Sequence, residues 1–224
     1  MRARRPEREP GPVAGQAPRV ILSDSMAVRL LAYLRDADER ERGGVLLGRR
    51  DGEVTWVTMA VFPPQVTETR IECSFDVGCM EVLNAAKDRL DRKLKAEMGT
   101  TVGWVHSHPR YGLFLSPTDM QTLSSWRQLD PRAIAIVADP YLRAALGQQI
   151  GCWDSGPAHF PLLDSSGTGF LRISQVAEVA EAINDSAAPD RQWDIVTAKT
   201  LIGFTATPSA ASPRPGSRSA PVTP

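Results

Sequence analysis

Thr101-Val102-Gly103-Trp104-Val105-His106-Ser107-His108-Pro109, then six residues, then Ser116-Pro117-Thr118-Asp119, is the stretch on which the fold of this chain turns. The first seven residues are a β-rich run. In a strand, residues i and i+2 share a face, so His106 and His108 project side by side at a spacing one metal ion can bridge. Pro109 ends the ladder because it has no N–H to donate. Ser116, Pro117 and Asp119 then read as N-cap, N1 and N3 of a helix. If that helix start folds back over the strand end, Asp119 adds a hard oxygen to the two imidazoles. Two His, one carboxylate and a fourth position left to water is the coordination of a hydrolytic zinc site. Taken singly, each motif also has a plain reading, an H-x-H in a turn and an S-x-x-D that only caps its helix. Their conjunction at this separation points to the metal.

Around this stretch lies a chain of 224 residues with 26 basic and 26 acidic side chains, 42% hydrophobic and 23% charged. That mixture can bury a core, and zero net charge excludes a polyanion binder recognisable by bulk charge. The neutrality is a sum of unlike parts. Residues 1–18, MRARRPEREPGPVAGQAP, carry four Arg and four Pro, and residues 205–224, TATPSAASPRPGSRSAPVTP, carry five Pro, two Arg and no acid. Neither segment has the apolar content to offset the entropy of ordering, so both are expected to be disordered arms. The remaining 19–204 is expected to be one domain holding 20 basic and 24 acidic residues, a net −4 that argues further against nucleic acid. No apolar run reaches the roughly 20 residues that span a bilayer, and the basic start leads into prolines rather than an apolar segment, so the expected location is cytoplasmic. Cys73, Cys79 and Cys152 make no C-x-x-C pair and are expected to be buried thiols.

Within 19–204, RVILS (19–23) reads as a strand, with Ser23 or Asp24 capping a helix that carries Met26, Leu30, Leu31 and Leu34. GGVLLGRR and EVTWVTMAVF flank an Asp51-Gly52 turn, a hairpin signal. After a loop and the strand ECSF, Cys79, Leu83, Ala86, Leu90 and Leu94 recur at spacings of three and four, which predicts a long helix over 77–98 lying on a sheet. SPTDMQTLSSWRQL is a helix, RAIAIVADP a buried strand, and QQIGCWDS with AHFPLL a final pair of strands. Helical stretches over 173–186 and 190–201 complete the expectation. The order implies an α+β fold with a mixed, mostly antiparallel sheet sandwiched by helices. Trp56, Trp104, Trp126 and Trp153 read as core or half-buried aromatics. His159 lacks a partner and reads as a surface or packing residue. Tyr111, Leu113 and Phe114, in the loop between the ligands, could contact substrate or simply pack.

The sequence resembles the JAMM/MPN+ metalloproteases, whose pattern is an upstream Glu, H-x-H-P, six residues and S-x-x-D. Here HSHP, Arg110 to Leu115, and SPTD match without a gap. The family's Glu precedes a G-apolar-apolar-x-G strand by three residues, and Gly44-Val45-Leu46-Leu47-Gly48 puts that position at Glu41, with Glu39 two residues off register. The resemblance is clearest over 19–165. It implies the MPN/JAMM, cytidine-deaminase-like fold and one Zn²⁺ held by His106, His108 and Asp119. It further implies Glu41 as general base and Ser116 as an oxyanion donor. The second, structural zinc of the endosomal-sorting members has no ligands here. The implied activity is cleavage after the C-terminus of ubiquitin or a ubiquitin-like protein, in conjugates or precursors. An alternative suited to a bacterial source is a peptidase releasing an amino acid such as cysteine from a ubiquitin-fold sulfur carrier. A non-catalytic MPN scaffold is a third reading, against which stands the complete motif.

Overall fold

The computed structural model describes residues 20–76, 78–94, 99–154, 156–166 and 173–207, so the expected arm 1–18 and residues 208–224 of the expected tail lie outside the described residues. Strand β1 (Val20–Ser23) passes directly into helix α1 (Asp24–Arg35), because Ser23 keeps extended backbone while its hydroxyl accepts the Met26 N–H at 2.9 Å. β2 (Gly43–Asp51) and β3 (Val54–Phe62) form the expected hairpin, closed by Gly52 at φ +54. β4 (Gln65–Glu68) and β5 (Cys73–Phe75) make a separate two-stranded sheet. There follow α2 (Cys79–Leu94), β6 (Thr100–Ser107), α3 (Pro117–Leu129), β7 (Ile134–Ala138), β8 (Ile150–Trp153), β9 (Leu162–Asp164), α4 (Ile173–Asn184), β10 (Gln192–Thr197) and β11 (Leu201–Thr205).

The main sheet runs β11-β10-β3-β2-β6-β7-β8, with β1 added to β3 and β9 to β1. β1–β3, β1–β9 and β6–β7 are parallel and the other pairings antiparallel, so the mixed, mostly antiparallel α+β architecture stands. Strand alternation divides the core between its faces. Leu46, Ala60, Phe62, Val105 and Ile136 pack with Met26, Leu30 and Leu34 of α1. Val45, Leu47, Met59 and Val61 pack on the other face with Leu83 and Leu90 of α2 and with Val179 and Ile183 of α4. Trp104 lies beside Val45 in register, and with Leu123 of α3 it forms a smaller cluster. The face that carries Trp104 therefore also receives His106, two residues on.

Three expectations are corrected. The stretch 190–201 is not a helix: it holds β10 and, across a turn, the start of β11. β10 places Ile195 against Val61 and Thr197 against Met59, filling the edge of β3 beyond the point where β1 stops, so tertiary pairing overrides a weak helical pattern. The expected loop before ECSF contains β4. QQIGCWDS and AHFPLL do not pair strand to strand: β8 pairs with β7 and β9 with β1, and an isolated bridge joins Cys152 of β8 to His159, ahead of β9. Among the described residues no helix is long and apolar enough to cross a membrane.

Candidate metal centre

β6 delivers His106 and His108 to the same side, both essentially buried. The end of the strand is fixed from both flanks: Ser107 N donates to Arg42 O at 3.1 Å, and His108 N donates to Ala138 O at 2.9 Å. The helix start then behaves as its sequence dictates. Ser116 caps α3, its Oγ accepting from Asp119 N at 3.2 Å, while Asp119 Oδ2 accepts from Ser116 N at 2.7 Å. This box points the carboxylate back over the strand end, with Oδ1 3.3 Å from His106 Nε2 and Oδ2 3.5 Å from His108 Nε2. The two Nε2 atoms are 2.9 Å apart.

These separations test whether a metal fits. Ligand atoms about 2.0–2.1 Å from a tetrahedral zinc stand about 3.3 Å from one another, and 2.9, 3.3 and 3.5 Å bracket that value. His106, His108 and Asp119 are also the group among the described residues whose donor atoms can converge on one ion. Burial holds the His106 imidazole below its ordinary pKa against the pull of Asp119, so the ring is neutral, as a metal ligand must be. Burial alone would raise the Asp119 carboxyl, but its hydrogen bonds with His106, His108 and Ser116 hold it well below the usual carboxylate range. Trp104 stacks on the His106 ring at 4.4 Å and 7°, and Phe114 packs on His108 at 4.6 Å, which leaves the rings little room to rotate.

Glu41 follows the turn after α1 and is 7% exposed, with Oε1 3.8 Å from His108 Nε2. Burial pushes its carboxyl up to about 7; His108 opposes the rise, and Asp119 and Glu72 add to it. Glu39 points elsewhere, pairing with Arg110 at 2.5 Å and with Arg70. The group opens onto a groove of about 750 Å³ bordered by Ile71, Phe75, Met80 and Trp126 on its apolar side. The charged side chains that line it are the acids Glu41, Glu72 and Asp119. Tyr111 and Phe114 line it as well, whereas Leu113 turns toward Gly151 of β8. Cys73 is half-buried in the groove wall, and burial, then Glu41, push its thiol up so that it stays protonated; Cys79 and Cys152 are buried. His159 pairs by backbone with Cys152 and takes no part in the site.

One supporting residue has no signal in the sequence. The β2–β3 pairing stops at Val45 opposite Val61, and Pro63, just past β3, has no N–H to extend it toward Gly43. The Gln65 side chain takes its place: Nε2 donates to Gly43 O at 2.9 Å and to Pro63 O at 2.7 Å, and Oε1 accepts from Gly43 N at 3.1 Å. The backbone two residues past Glu41 is thereby fixed.

The family profile for prokaryotic homologs of the JAB domain matches residues 23–146, more than half of the chain and the whole span from α1 to the turn after β7. The 26S proteasome regulatory subunit rpn11 of Schizosaccharomyces pombe is 32% identical over 131 residues, covering 58% of this chain and 41% of that protein. The ubiquitin carboxyl-terminal hydrolase RPN11 of Saccharomyces cerevisiae is 32% identical over 123 residues, 54% of this chain and 38% of that one. COP9 signalosome complex subunit 5a of Arabidopsis thaliana is 29% identical over 149 residues, 65% of this chain and 40% of that one. The chain thus spans about two fifths of the length of these relatives. With its motif, its sheet and the matched span in agreement, this chain belongs to the JAB/MPN family, among the prokaryotic homologues of the JAB domain.

Proposed function

We propose that the chain is a zinc-dependent peptidase that cleaves after the C-terminus of ubiquitin or a ubiquitin-like protein, freeing it from a conjugate or a precursor. The observation that carries this reading is the placement of a buried carboxylate, Glu41, against the His106–His108–Asp119 group at one end of an open, largely apolar groove. A Zn²⁺ ion held by those three residues would supply Lewis acidity and lower the pKa of water bound to it to about 7. Glu41 takes the proton of the attacking water and returns it to the leaving amine. Its raised pKa suits it to both transfers near neutrality. The Ser116 oxygen accepts from Asp119 N, and its hydroxyl hydrogen, which also interacts with the Asp119 carboxylate, turns from there to donate to the developing oxyanion. A relative named as a ubiquitin carboxyl-terminal hydrolase supports the substrate class.

The test is incubation of the purified chain with ubiquitin-like fusions, ubiquitin and sulfur-carrier fusions included, with and without chelator. Cleavage at the fusion junction that stops with chelator and resumes with zinc is the expected result. Cleavage that survives chelation, or that persists in Glu41→Gln, rules the mechanism out.

A further inference from the structure

At the end of β7, Asp139 is 1% exposed and makes no ion pair with a Lys or Arg among the described residues. Its carboxylate is satisfied by backbone instead. Oδ1 accepts from Arg110 N and from Tyr141 N, each at 3.0 Å, and Oδ2 accepts from Gly112 N at 3.0 Å. Asp139 N donates to Gln149 O at 3.0 Å, which anchors the residue to the body of the fold. Two of its three donors come from the segment that joins the halves of the metal group. That segment leaves His108, turns with Arg110 at φ +70 and Gly112 at φ +84, and delivers Ser116 and Asp119. Arg110 has a Cβ and gains nothing intrinsic from the left-handed conformation, so something outside the turn must hold it there.

We infer that Asp139 is a positioning residue for the metal group, fixing the turn at Arg110 and Gly112 so that the carboxylate of Asp119 meets the imidazoles of His106 and His108. It touches neither ligand nor groove and acts through the backbone. Neighbouring Ala138 braces His108 N, so the last residue of β7 and the one after it hold the two sides of Pro109. Released from Asp139, the turn relaxes toward negative φ and carries the start of α3 with it. Groups that orient metal ligands from behind typically contribute about 10–100-fold in affinity.

This inference rests on the metal reading given under Proposed function. The measurement is zinc affinity by competition with a chromogenic chelator for the wild type, Asp139→Ala, Asp139→Asn and Leu83→Ala. It is read beside amide exchange at Arg110 and Gly112 and the melting temperature of each metal-free protein. Leu83, buried on α2 in the core cluster with Val61 and Val179 and making none of the turn's hydrogen bonds, reports what plain destabilisation does. Asp139→Ala is expected to weaken zinc by roughly 10–100-fold. Asp139→Asn, which keeps one acceptor but turns an NH₂ toward Gly112 N, should lie between it and the wild type, and both should speed exchange at the two amides. Leu83→Ala should melt earlier with unchanged affinity. If Asp139→Ala does not fold, Asp139→Asn decides by the same two readouts. Wild-type affinity in the Asp139 variants, or an equal loss in Leu83→Ala, overturns the positioning role while leaving the function standing. Absence of zinc binding by the wild type overturns the metal reading and this inference together.

Discussion

Glu41 is held where a carboxylate is uncomfortable, and both its chemistry and its cost follow from that. Its folded pKa, about 7, stands above the ordinary 4.5, so the native state binds this proton more tightly than the unfolded chain. Stability is therefore lost as pH rises from about 4.5 to about 7, and no penalty exists below that window. Glu41→Gln should raise the stability of the metal-free protein above pH 7 by about 1–3 kcal/mol and leave it unchanged near pH 4. Denaturant melts across that range, with chelator present, measure the difference. The same variant should lose about 10²–10⁴-fold in kcat/KM while retaining zinc. With Glu41 as the proposed base, acting as an ionised carboxylate, kcat/KM should fall as pH drops, with an apparent pKa no higher than about 7, since a bound cation favours ionisation. At this scale the sequence was partly legible. His106, His108 and Asp119 are spaced by strand and cap geometry and can be read directly, whereas Glu41 stands out from a run of charges only through the family register. Gln65 and Asp139 are invisible to such reading, since their partners are backbone groups brought to them by other strands.

The elements place these residues, and two of them carry sharp dependences. At the head of α3 a single hydroxyl is both cap and candidate donor. Ser116→Ala should cost about 1 kcal/mol through the lost N-cap, and about 10²-fold or more in kcat if the hydroxyl also serves the oxyanion. Unchanged kcat alongside the stability loss would reduce Ser116 to a cap. In β6, a Cβ built on Gly103 would stand 1.9 Å from Ile134 O, where β6 and β7 run parallel at closest approach. Gly103→Ala should therefore cost about 3 kcal/mol and weaken zinc, because Trp104 and His106 follow in the displaced strand; melting and chelator competition test both. Long, periodic α2 and the turn-flanked β2–β3 hairpin announce themselves in sequence. β10 does not, because Trp193-Asp194-Ile195-Val196 becomes a strand only where β3 offers an unpaired edge.

For the molecule as a whole, metal binding to the native state alone should couple to stability. At a free zinc concentration about 1,000-fold above Kd the gain is about 4 kcal/mol, or roughly 8–16 °C in a domain of this size. Melts with and without chelator should show it, and His106→Ala should abolish the difference. Removing residues 1–18 and 208–224 should leave that melting behaviour unchanged, since their composition offers no core. The sequence by itself determined the grouping of His106, His108 and Asp119, the hairpin, the caps and the α+β class, because these depend on periodicity and on residues close along the chain. Only the tertiary structure decided that Glu41 rather than Glu39 faces His108, that the Gln65 side chain bonds the Gly43 and Pro63 carbonyls, that Asp139 accepts from the turn between His108 and Asp119, and that 192–205 pairs as strands. Each of those outcomes depends on which backbone N–H and C=O groups distant segments leave unpaired when the sheet assembles, and every such group that is buried must find a partner.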